Sequence, residues 1–96
     1  MYKKEFERLS RKAEAFKALG HPSRIFILEK LIEREHCVGE LTEMLGVEMP
    51  TVSKHLSILK NCGIISGRKE GNSIFYKIQR ECVKDTLACA DKALKH

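Results

Sequence analysis

Between Val38 and Gly63 the chain carries two short amphipathic segments with almost nothing between them. The first, GELTEMLG, has Leu41, Met44 and Leu45 as its apolar positions and Gly46 as its stop. The second steps from Val52 to Leu56 to Leu59, a helical stripe, and Cys62-Gly63 closes it. A glycine ending one helix and a proline near the start of the next, Pro50, leave room for a single tight turn. Two short helices so joined are a helix-turn-helix. The second helix has a polar side to spare. Thr51, Lys54, His55 and Ser57 fall away from the apolar stripe and Ser53 flanks it, which predicts a surface that is presented rather than packed.

The flanking segments complete a fold around that pair. Phe6, Leu9, Ala13, Phe16 and Leu19 recur at helical steps, and Gly20 ends the run. Pro22 suits the first turn of the next helix, whose apolar residues at 25, 26, 27, 28, 31 and 32 cover most of its circumference. That helix is expected at the centre. After Gly63 the period changes to two: Ile74, Tyr76 and Ile78 alternate with Phe75, Lys77 and Gln79. Ile64-Ile65 before SGRKEGNS makes this a β-hairpin, with Arg68, Lys69, Gly71 and Asn72 expected at its tip. From Arg80 a last helix places Val83, Leu87, Ala90 and Leu94 on one seam. The predicted class is mainly α with a small β-hairpin wing, a winged helix-turn-helix of order α-α-α-α-β-β-α. No repeat or linker divides it, so residues 1–96 read as one domain. The terminal helices, about 3–19 and 80–95, carry more apolar surface than one small core can use. They are the expected dimer surface.

Charge is segregated along the chain. Of the net +5, residues 29–48 contribute −4 and residues 51–80 contribute +5. A basic block that begins at the presented helix points to a polyanion, and double-stranded DNA fits a helix-turn-helix. No apolar run is long enough for a membrane span, and the opening MYKKEFERLSRK has no signal-peptide core, which implies a cytoplasmic protein. The four cysteines, at 37, 62, 82 and 89, form no CxxC pair; in a reducing cytosol the default is free thiols used for packing. His36-Cys37 brings a thiol beside an imidazole, but no orienting acid or pocket accompanies it, so an enzyme is not expected. The competing reading is a winged helix that binds another protein through its acidic 29–48 stretch.

ALGHPSRIFILEKL, CVGELTEMLGVEMPTVSKHLSILKNCGII and GNSIFYKI together resemble the ArsR/SmtB family of bacterial and archaeal repressors, over about residues 15–80. The resemblance implies a homodimer that represses transcription from operator DNA and is released by a metal ion or another chemical signal. It places Thr51, Ser53, Lys54 and His55 at the groove-facing start of the recognition helix. Arg68 and Lys69, with the turn at Gly71-Asn72, become the wing that reaches the backbone or minor groove; Lys60 is expected as a further phosphate contact. Two positions depart from the family pattern: Glu48 replaces the usual serine cap, and Met49 stands where a polar residue is common.

The thiolate and zinc sites that the resemblance implies are incomplete. Cys37-Val38-Gly39 keeps one thiol of a Cys-x-Cys, and Ile58 stands one turn before Cys62 where a partner thiol would be. Asp85 is followed by Thr86-Leu87 rather than by a histidine, and the later histidine is the terminal His96. No cofactor is required by this reading. A thiolate-bound metal or metalloid inducer would draw on Cys82 and Cys89, two turns apart on one face of the last helix, with Cys37 as a third member. Cys62 is expected to pack beneath the wing.

Overall fold

A computed structural model of the chain describes residues 2–94. Helix α1, Lys3–Leu19, is followed by α2, Pro22–Glu33; a two-residue strand β1, His36–Cys37, leads into α3, Val38–Leu45, and then α4, Met49–Asn61. The hairpin strands β2, Ile65–Glu70, and β3, Ser73–Ile78, precede α5, Cys82–Ala93. This is the winged helix-turn-helix read from the sequence. Lys95 and His96, with which the last helix and the zinc-type comparison would have ended, lie outside the described residues.

The core is built where the apolar stripes converge. Ile27, Leu28 and Leu31 of α2 meet Leu41 of α3 and Val52, Leu56 and Leu59 of α4, with Ile64, Ile65, Ala18 and Val83 closing the cluster. Seven of these side chains are essentially without solvent contact: Ile27, Leu28, Leu41, Val52, Leu56, Leu59 and Ile65. At roughly 2 kcal/mol for each fully buried aliphatic side chain, they outweigh any single polar contact described below. Central α2 buries Ile27, Leu28 and Leu31, while Ile25, Phe26 and Ile32 of its apolar pattern are only partly covered.

Local chemistry sets the element ends. Pro22 occupies the first turn of α2, and His21 caps it by accepting the Ser23 N–H at Nδ1, 3.1 Å. Cys37 opens α3, with its backbone N–H donated to Glu40 Oε1 at 3.1 Å. Gly46 closes α3 at φ +70°, a left-handed turn that a side chain would strain. That turn redirects the chain into α4.

The wing pairs Ile65 with Ile78 at its base and Glu70 with Ser73 at its end, so only Gly71 and Asn72 form the tip. Arg68 and Lys69 lie within β2, opposite Phe75 and Ile74, rather than at the tip. Gly67 faces Tyr76, and a Cβ there would lie 3.1 Å from that ring. β1 adds a third strand the sequence did not announce: it pairs with β3, His36 opposite Tyr76 and Cys37 opposite Phe75, giving the order β1-β3-β2.

The terminal helices are attached lightly. On α1 only Ala18 is buried, and on α5 only Val83, with Leu87 partly covered. Phe6, Leu9 and Phe16 on α1 and Leu94 after α5 are exposed. The Cα radius of gyration is 14.6 Å; a close-packed domain of this length would have about 12.5 Å.

Candidate nucleic-acid interface

Helix α4 is anchored by one face and open on the other. Val52, Leu56 and Leu59 lock it into the core, while Thr51, Ser53, Lys54, Ser57 and Lys60 are exposed. Glu48 caps the helix without a side-chain hydrogen bond, and Met49 is half exposed beside it. The apolar grip fixes the helix axis, so its open face is presented as a rigid row of hydroxyls and ammonium groups. Such a row donates hydrogen bonds to base edges and phosphate oxygens alike.

His55 does not belong to that row. Its side chain is 8% exposed and turns toward α2. The ring lies 4.5 Å from the His21 ring, and its Nδ1 is 3.4 Å from Arg24 Nη1. Burial first, and then the electrostatic influence of His21, Arg24 and Lys54, holds its pKa below the ordinary histidine value. His55 is therefore withdrawn from the groove-facing set. Its spacing explains this: it stands four residues before Leu59, next to it on the wheel at the edge of the buried arc.

The wing cations differ from one another. Lys69 is exposed on β2 and Asn72 is exposed in the turn. Arg68 is committed within the protein: its guanidinium pairs with Glu35 at 3.2 Å and with Glu70 at 3.0 Å, and it lies 5.3 Å from the Phe75 ring centre. It braces the wing against the residue before β1 and is not a free cation at the tip. The first helix of the motif is held in a similar way. Arg34 Nη2 lies 3.2 Å from Glu40 Oε2. The Cys37 N–H, and after it the Arg34 guanidinium, keep the Glu40 carboxyl below its usual range.

None of the four thiols is a core residue. Cys37 is half-buried, and Cys62, Cys82 and Cys89 are exposed. Cys62 caps α4 facing the α1 side of the molecule, not beneath the wing. Among the described residues no three His, Cys, Asp or Glu side chains converge on a metal site within one chain. Among the described residues no helix is long and apolar enough to cross a membrane.

Comparison with known proteins places this architecture. Residues 21–66 match the model of the bacterial regulatory protein, arsR family. An uncharacterized HTH-type transcriptional regulator of Methanocaldococcus jannaschii is 41% identical over 87 residues, covering 90% of this chain and 98% of its own. The chain belongs to the ArsR family. The HTH-type transcriptional repressor SmtB of Mycobacterium tuberculosis is 40% identical to this ArsR-family chain over 72 residues, 75% of this chain and 53% of the repressor. Among solved structures, the homodimeric winged helix-turn-helix DNA-binding domain from Mycobacterium bovis superposes with a TM-score of 0.84 at 28% identity, covering 97% of this chain and 86% of that one. This ArsR-family chain is thus a winged-helix, DNA-binding transcriptional regulator rather than an enzyme.

Proposed function

We propose that this ArsR-family regulator is a homodimeric repressor that reads a palindromic operator with α4 and is released by a thiol-directed signal. The observation that carries the DNA-reading part is α4 itself, with an apolar face sunk in the core and Thr51, Ser53, Lys54 and Lys60 left in the open. Lys69 and Asn72 reach the flanking backbone from the wing, and Arg68 keeps that wing in place through Glu35.

Dimerisation is supported by surface. A folded monomer of 11.0 kDa should expose about 5,600 Å². This chain exposes 6998 Å², and the excess of roughly 1,400 Å² matches what one partner contributes to a substantial interface. The exposed apolar residues Phe6, Leu9, Phe16 and Leu94 lie on or beside the two terminal helices. A groove between those helices, lined by Phe16, Leu19, Ile64 and Val83 among others, offers a seat for a partner. The Mycobacterium bovis neighbour is homodimeric, which supports association of two copies. Two-fold symmetry then repeats α4 about one helical turn of DNA apart.

Release is assigned to Cys82 and Cys89, both exposed on α5, with Cys37 beside them in the assignment. The two lie two turns apart, roughly 10 Å along one helix, so a shared ion or bond has to draw on the partner subunit. The experiment is selection of bound sites from random-sequence DNA, followed by retardation of the selected duplex with and without arsenite or a thiol oxidant. A palindromic site released by either reagent is the expected result. Failure to select any site overturns the DNA reading, and release that persists in a variant lacking all four cysteines overturns the thiol assignment.

A further inference from the structure

Where α2 begins, the molecule gathers positive charge that nothing within it neutralises. A cleft of about 510 Å³ is lined by His21, Arg24, Thr51, Lys54, His55 and Ile58. No carboxylate lines it, and among the described residues none of its four basic side chains enters an ion pair with an acid. Such a cluster is unfavourable on its own, because Arg24 and Lys54 carry like charge and burial disfavours charging His55.

The cluster is nevertheless held rigidly. Arg24 donates from Nε to the Ala18 carbonyl at 2.7 Å and from Nη2 to the Lys17 carbonyl at 3.1 Å. Those are the last carbonyls of α1, the negative end of its dipole, so the guanidinium is pinned. Its Nη1 faces His55 Nδ1 at 3.4 Å. A guanidinium can only donate, so Nδ1 accepts and the His55 proton sits on Nε2. His21 Nδ1 likewise accepts, from the Ser23 N–H at 3.1 Å, which leaves Nε2 as its donor. Two imidazole N–H groups, an ammonium and the Thr51 hydroxyl therefore share one cleft with a fixed guanidinium. That donor set suits the oxygens of a phosphate.

Resting on the DNA-reading assignment above, we propose that this cleft seats one phosphodiester of the operator backbone in each half-site. His21 and Arg24 of α2 and His55 of α4 hold it, with Lys54 bridging from the presented face. Thr51 and Lys54 belong to both surfaces, so the seat lies at the rim of the recognition helix, where the backbone runs past a helix lying in the major groove. A phosphate held there fixes the register of α4 without reading a base.

The test couples a neutral DNA backbone to the protein variants. Duplexes of the selected site, each with one methylphosphonate, are titrated with wild type, His21→Ala and His55→Gln, the folding of each variant being checked by thermal melting. One backbone position per half-site should weaken wild-type binding about tenfold, the cost of losing charge-assisted hydrogen bonds. At that position the loss should shrink to about twofold or less in His21→Ala. His55→Gln repeats the measurement should His21→Ala fail to fold. Losses that multiply independently at every position overturn the seat while leaving DNA binding intact; a wild type that selects no DNA overturns the functional reading instead. Inorganic phosphate is added in a second arm. If it shifts the His21 and His55 ring resonances while no methylphosphonate position couples to either, the cleft serves a free anion and the backbone seat is wrong.

Discussion

Replacing Phe16 with alanine should break the dimer while leaving the protomer folded. Phe16 is 67% exposed on α1, and an aromatic side chain carries roughly 200 Å² of surface, so on the order of 130 Å² awaits a partner. At about 25 cal/mol per Å², burying it is worth about 3 kcal/mol in each protomer, and two-fold symmetry doubles that. Interface area converts to affinity inefficiently, so about half of the doubled figure is expected as lost association energy. About 3 kcal/mol weakens dimerisation by about a hundredfold. Sedimentation equilibrium across the micromolar range measures this directly, with circular dichroism confirming that the monomer keeps its helices. Lys54→Ala, on the exposed face of α4, should sediment as wild type. A Phe16→Ala variant that dimerises as well as wild type would refute the assignment of the α1 face. So would a wild type that is monomeric at concentrations where it saturates the operator.

Operator affinity should fall steeply with salt, and Lys54→Ala should flatten the slope of log K against log salt by about two units, one per protomer; an unchanged slope in retardation assays would remove Lys54 from the phosphate contacts. Acid should destabilise the fold through His55. Its pKa is held down in the native state, so the unfolded chain binds more protons, and stability declines as pH falls below about 6.5. Melting curves from neutral to mildly acid pH should show this decline, and His55→Gln should reduce it. Release of operator by arsenite should fail in Cys82→Ser and Cys89→Ser and persist in Cys62→Ser; release that is lost only in Cys62→Ser would move the sensor to the end of α4.

Much of this was legible in the residues because the signals were periodic. Gly46 and Pro50 bounded the turn of the motif, the stripe of α4 named three of its buried residues, and the alternation through Ile74, Tyr76 and Ile78 named the wing. Short-range chemistry misled where it competed with spacing. His55 looked outward because histidine is polar, although its place on the wheel is next to Leu59 at the edge of the buried stripe. Arg68 looked free because sequence cannot place Glu35 beside it, thirty-three positions earlier in the chain. β1 was invisible for a different reason: two residues have no period. The cysteines looked like packing residues by type, and three of the four are exposed. His21 and Arg24 carried no sequence signal of a shared cleft, since only the tertiary fold brings α2 against α4.

That two-residue strand has a mechanical consequence. β1 ties the residues immediately before α3 to β3, and the Arg68–Glu35 pair ties the same segment to β2. The start of α3 and the wing are therefore stapled into one block, and neither can swing away without tearing backbone hydrogen bonds from the other. A signal that releases the operator has to act like a hand turning a pair of compasses: each point stays rigid, and only the span between the two changes. In the proposed dimer, with half-sites one helical turn apart, a small rotation about the α1 and α5 interface would carry both points off their marks together.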